Sequence, residues 1–170
     1  MNPASPKQPD PAEVYRELRS HALGVGPEDA GVELPGGENQ PYGVLMETGY
    51  PNGVATLVAF ASGDASLYFS TGGGIIGGIG HEPVRAAAGQ LVGCSKQFLP
   101  EMDKTTAFPV PTAGRVCFYV LTLDGAFTAE AAPDDLGEQR HPLSPLFFAA
   151  HQVITELRLI TQQRQEGAGS

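Results

Sequence analysis

A chain of 170 residues, 41% hydrophobic and 17% charged, carries enough apolar surface to bury one continuous core, and its two cysteines have no metal-ligand spacing. Its 10 basic residues against 19 acidic ones, a net charge of −9, oppose the Lys/Arg neutralisation on which binding to nucleic acid or an anionic membrane depends, so both are set aside as partners. No stretch approaches the roughly 20 apolar residues of a bilayer span, and "MNPASPKQPDPAE" lacks the apolar segment of a signal peptide, which makes a cytoplasmic protein the expectation.

Prolines at positions 3, 6 and 9 mark residues 1–10 as an extended tail, and "QEGAGS" marks a second tail over 164–170, leaving one domain over 11–163. Asp10 as N-cap and Pro11 at the first helical position open a short helix whose apolar stripe is Val14, Leu18 and Tyr15. Gly24 to Pro41 reads as loop. "YGVLMET" and "GVATLVAF" are strand-like runs joined at Pro51-Asn52-Gly53, and Asn-Gly between apolar runs signals a hairpin because both residues tolerate positive φ. Gly63-Asp64 turns the chain again into "ASLYFS". In the middle strand Val54, Val58 and Phe60 alternate with Ala55, Leu57 and Ala59, so both faces of the sheet need cover.

"PVRAAAGQLVGCSKQFL" spaces Val84, Ala88, Leu91, Ser95 and Phe98 as one helix face. "TAFPV", 106–110, reads as an edge strand, where Pro109 is tolerated. "RVCFYVLTL" and "AFTAEA" form a second hairpin about Asp124-Gly125, the last strand having one wetter face. Ser144 as N-cap then opens the longest apolar stripe, Leu146, Ala150, Val153, Leu157 and Ile160. Cys94 and Cys117 fall inside these elements and read as buried free thiols. The expected fold class is α/β (α+β), a mainly antiparallel sheet of five to six strands with helices on both faces.

The segment "STGGGIIGGIG", 70–80, satisfies G-x-G-x-x-G at Gly72, Gly74 and Gly77, but it follows an antiparallel meander rather than the first strand of a βαβ unit. No Lys follows the glycines, which excludes a P-loop, and Glu82 occupies the start of the next helix, where its charge competes with an anion. The glycines therefore read as conformational, serving unusual φ and close backbone approach. A ligand pocket roofed by this segment, using Ser70, Thr71, Gly72, Gly74, Gly77 and Arg85, is the alternative, and Ile75 and Ile76 offer a surface for a partner chain.

Pro83 interrupts the helix that His81-Glu82 would need for a zincin, and His21, His81, His141 and His151 share no metal spacing. No nucleophile elbow occurs, and Asp134-Asp135 reads as a solvated turn. Neither a catalytic set, a cofactor nor a metal is expected.

In element order the chain resembles the roadblock/LC7 family, within the wider profilin-like class. "GVATLVAFASGDASLYFS" is similar to that family's first hairpin, "PVRAAAGQLVGCSKQFL" to its central helix, "GRVCFYVLTLDGAFTAEA" to its second hairpin, and "PDDLG" to the turn before its last helix. The resemblance spans Gly53 to Gln162, while the glycine segment, the strand near Tyr42 and "EQRHPLSP" depart from it. It implies a homodimer built through the central helix and an adjoining strand, and a non-catalytic role as adaptor or regulator of small GTPases; no family residue carries over individually, and the candidate interface residues on this chain's central helix are Ala88, Leu91 and Gly93.

Overall fold

The computed structural model describes residues 10–32, 36–77 and 80–168. Helix α1 (Pro11–Gly24) precedes a four-strand meander, β1 (Pro41–Tyr50), β2 (Gly53–Phe60), β3 (Ala65–Phe69) and the two-residue β4 (Gly74–Ile75). Helix α2 (Glu82–Ser95) runs into a 3-10 turn over Lys96–Glu101, followed by β5 (Asp103–Thr105), β6 (Val116–Thr122), β7 (Gly125–Ala131), the short α3 (Pro133–Gly137) and α4 (Ser144–Ala168). The strands form one sheet in the order β4-β3-β2-β1-β6-β7-β5, every pair antiparallel. The class is the expected one with seven strands in place of five to six. The additional edge strands have two and three residues, too few for a period of two to register.

The alternation read from β2 assigns its two faces. Leu57 and Ala59 join Val44, Met46, Leu67, Phe118 and Val120 under α2 and α4, whereas Val54, Val58 and Phe60 lie with Leu45, Tyr68, Tyr119 and Leu121 on the face that carries α1. Val84, Ala88, Leu91, Ser95 and Phe98 are all buried along α2 and the turn after it, as their spacing demands. Pro51 and Asn52 form the two-residue loop of the first hairpin, with Tyr50 paired to Gly53. Asp10 caps α1 through its side chain, which accepts from the Ala12 N–H at 3.2 Å.

Four local expectations are corrected. The buried side of α1 is Tyr15 and Ala22, with Val14 turned out to 37% exposure, because Tyr15 brings a hydroxyl that the sheet can use. "TAFPV" joins no strand, and β5 takes the edge beside β7 instead. Residues 106–112 form a strap over the α1 face, fastened where Tyr119 Oη donates to the Pro109 carbonyl at 2.5 Å and where the Phe108 ring meets Tyr119. Ser144 is already helical and its buried Oγ has no hydrogen-bond partner, so it does not cap α4. Helix α4 also continues to Ala168, through residues expected as tail. None of the described helices is long and apolar enough to cross a membrane.

Candidate functional site

The glycine segment leaves β3 at Ser70 and doubles back as β4. Ser70 Oγ accepts from the Val54 N–H at 2.8 Å, which commits this hydroxyl to fixing the start of β2. Gly72, at φ +116°, passes over Pro11 of α1, and a Cβ on Gly74 would stand 2.3 Å from the Leu67 carbonyl oxygen. These two glycines answer to backbone geometry. Strand alternation parts the two isoleucines: Ile75 packs against the α2/α4 core, while Ile76 is 57% exposed on the α1 face. Thr71 is exposed, Gly77 adopts φ +81° beside residues outside the described set, and Arg85 sits on α2, where its Cβ meets Gly63. Of the six residues proposed for a pocket, Gly72 lines a cleft beside α1, whereas Ser70 is committed to the start of β2 and Arg85 meets Gly63 from α2.

On the α1 face the sheet carries a buried polar cluster that sequence reading missed. Glu47 of β1 is fully buried; Arg19 of α1 donates to it through Nε at 2.7 Å and Nη2 at 2.8 Å, and Thr56 donates to it at 2.6 Å. Tyr15 Oη lies 2.6 Å from Thr56 Oγ1, and Arg19 Nη2 also donates to the Phe108 carbonyl of the strap at 2.7 Å. Burial pushes the Tyr15 phenol up; burial opposes the Arg19 charge, but the Glu47 carboxylate outweighs it and raises the guanidinium. Tyr119 is likewise pushed up by burial, then by its neighbour Cys117. Both cysteines are free, Cys117 buried as expected and Cys94 only half-buried, and burial raises both thiols. Every polar group of the cluster has a partner, so the arrangement anchors α1 and leaves no free acid or base there.

Helix α1 is too short to cover its face of a seven-strand sheet, and clefts open beside it. A cleft of about 380 Å³ lies between the end of α1 and β2–β3, floored by Val58, Phe60 and Tyr68 and walled by Leu18, Ala22 and Val25. Its polar rim is His21, Asp29, Ser62, Asp64 and Ser66, and Ile76 of the glycine segment closes one side. A smaller neighbour of about 150 Å³ takes Gly72 and Gly73 into its wall beside Pro11 and Val14. The glycine segment thus borders clefts through Gly72, Gly73 and Ile76.

Of the residues expected at a dimer interface, Ala88 and Leu91 are fully buried in the chain's own core, packed against the sheet and α4, so they are not available to a second chain. The outer face of α2 is Ala86, Gln90 and Gly93, with Gly89 half-buried beside them. A Cβ on Gly89 or Gly93 would have no neighbour within 4 Å. Among the described residues no three of His, Cys, Asp or Glu come together as a metal site. Comparison of the chain with protein-family models, curated proteins and solved structures finds no match.

Proposed function

We propose that the protein is a non-catalytic interaction module that pairs with a second copy through the outer face of α2. The observation that carries this reading is the open space over Gly89 and Gly93. A glycine in a helix interior costs about 0.5–1 kcal/mol relative to alanine, and among the described residues none approaches a Cβ at either position within 4 Å. A second helix lying against Ala86, Gly89 and Gly93 supplies the missing reason, since small residues let backbones come close. The roadblock/LC7 resemblance supports the same use of the central helix and points to a small GTPase or a related roadblock-like chain as a further partner.

Sedimentation of the wild type against Gly93→Arg tests the interface. A dimer that becomes a folded monomer on substitution supports it; a wild-type monomer, or an unchanged mass in the variant, removes it.

A second reading is favoured by the cleft at the end of α1, bordered by the glycine segment: the domain binds a small molecule on the α1 face. Native mass spectrometry of the purified chain distinguishes the two, because a discrete adduct on a monomer supports the second and an adduct-free dimer the first.

A further inference from the structure

The cover that α2 and α4 give their face of the sheet stops short of the first hairpin. Along β1 the residues turned to that face pass from buried Met46 through half-buried Thr48 to Tyr50, which is 53% exposed, and on β2 Ala55 is half-buried next to the closed Leu57. A groove of about 80 Å³ opens there between these strands, Phe69 of β3 and one flank of α4. His151, Ile154 and Arg158 occupy that flank at i, i+3 and i+7, so the helix sets an apolar side chain between two basic ones. In charge the groove is the opposite of the clefts beside α1 and beside β5, which carry Asp29 and Asp64 and Asp103 and Glu130 respectively; no Asp or Glu is among its lining residues, in a chain of net charge −9. Arg158 is exposed, and its guanidinium makes no hydrogen bond or ion pair among the described residues.

We infer that this groove docks an acidic segment of a partner protein, which sets one apolar side chain on Leu57, Phe69 and Ile154 and a carboxylate against Arg158 and His151. The surface is separate from the outer face of α2, and neither reading depends on the other. Size and charge decide the occupant. About 80 Å³ admits a single apolar side chain, whereas pockets for whole small molecules run from roughly 300 to 1,000 Å³. The rim around that anchor point offers Tyr50 and Arg158, and Tyr and Arg are among the residue types that carry most of the binding energy at protein interfaces. A carboxylate can take two charge-assisted N–H donors from the planar Arg158 guanidinium. Burial and then Arg158 hold the His151 pKa low, so the ring serves as a neutral N–H donor and Arg158 supplies the charge. A basic segment would bring like charge to Arg158 and find no carboxylate in the groove to offset it.

The test is a titration of the full chain with blocked pentapeptides, Glu-Glu-Leu-Glu-Glu against Gln-Gln-Leu-Gln-Gln, Lys-Lys-Leu-Lys-Lys and the anchorless Glu-Glu-Gly-Glu-Glu, followed by the methyl NMR shifts of Met46, Leu57, Leu67 and Ile154. The glutamate peptide with leucine is expected to move these methyls and to bind about threefold more tightly than the glutamine peptide, in keeping with the modest worth of a partly exposed ion pair. The lysine and glycine peptides should leave them in place. Because the field of the whole chain favours the lysine peptide, a preference for glutamate at these methyls reports the local charge of Arg158. Arg158→Gln should bring the glutamate peptide down to the glutamine one, and Arg158→Glu should reverse the order of glutamate and lysine. Ala55→Leu fills the groove without altering a charge and should abolish the shifts, its unfolding temperature showing that the body is intact.

Equal binding of the glutamate and glutamine peptides, or an order that Arg158→Glu leaves unchanged, overturns the acidic class. No movement of these methyls up to millimolar peptide overturns the groove as a docking surface. Two further outcomes replace the occupant and so overturn the inference: the same shifts on concentrating the chain alone would put a second copy in the groove, and saturation by 4-methylpentanoate at the affinity of the peptide would make it a small-molecule site.

Discussion

The two faces of the sheet are built on different principles. Under α2 and α4 the contact is predominantly apolar, with Val44, Leu57, Phe118, Leu91, Leu146 and Leu157 at 1% exposure or less. Under α1 the same strands present Glu47, Thr56, Tyr68, Cys117 and Tyr119, and a single short helix is held there by an ion pair and hydroxyls. Dispersion and burial act without direction, so two helices, one of them the 25-residue α4, can cover most of a face. A polar anchor fixes one point and leaves the area on either side uncovered. The clefts of this molecule that border α1 therefore follow from how α1 is attached, and the small-molecule reading belongs to that face, whereas the interaction reading belongs to the outer side of α2.

The sharpest way to break this contrast is to cut the anchor. Arg19→Met leaves Glu47 buried without its cation and should cost about 3–5 kcal/mol in urea unfolding. Adding Glu47→Leu should return most of that loss, because Tyr15 and Thr56 can still bond each other and an apolar pair of similar volume is commonly tolerated. On the opposite face Leu91→Ala should cost about 2–5 kcal/mol through a cavity. If the Arg19→Met, Glu47→Leu pair remains as unstable as Arg19→Met alone, the anchor is not acting through its buried charge.

A smaller effect distinguishes the outer side of α2. Gly89→Ala and Gly93→Ala should each raise the stability of the monomer by about 0.5–1 kcal/mol, since helical φ/ψ suits alanine and no neighbour obstructs a Cβ. Measured by sedimentation, the same changes should weaken association if the two glycines admit a second helix. Greater stability with unchanged association would return this face to ordinary solvent exposure.

The pH dependence should separate the faces at opposite ends of the scale. Tyr15 and Tyr119 have folded pKa values raised above the ordinary 10, so from pH 10 upward the unfolded chain loses these protons first and stability falls; Tyr15→Phe and Tyr119→Phe should flatten that alkaline loss. His151 of α4 is lowered, by burial and then by Arg158, and its ring meets the Phe147 ring edge-on with centroids 4.3 Å apart. Below about 6.5 the unfolded chain takes up that proton preferentially, so stability falls with falling pH, and His151→Gln should remove a small part of the acid loss. Thermal unfolding from pH 5 to 11 measures both limbs.

Legibility in the sequence follows the range of the interaction. The partition of β2 into Leu57 and Ala59 against Val58 and Phe60, and the stripe of α2, are short-range periodicities set by the backbone itself, and they were readable. Arg19 and Glu47 are 28 residues apart on different elements, and "MET" at that point reads as the polar end of a strand. Nothing local marks such a pair. The 380 Å³ cleft is harder still, because it draws on α1, the loop after it and the β2–β3 turn, and its existence depends on how much of the sheet α1 leaves bare. The glycine segment stood out in composition, yet Gly72 and Gly74 answer to Pro11 and Leu67, and its described residues reach the clefts through Gly72, Gly73 and Ile76.

The attachment of α1 also sets an order of assembly. Arg19 belongs to α1, which is synthesised before the strands it docks on, and its acceptors are the Glu47 carboxylate and the carbonyl of Phe108. A helix of this length is marginal alone in water, and the strand that holds the strap, β6, begins only at Val116. On a growing chain α1 must therefore wait, unanchored, until β6 has been made, and its docking over β1, β2 and β6 is a closing step of folding rather than its nucleus.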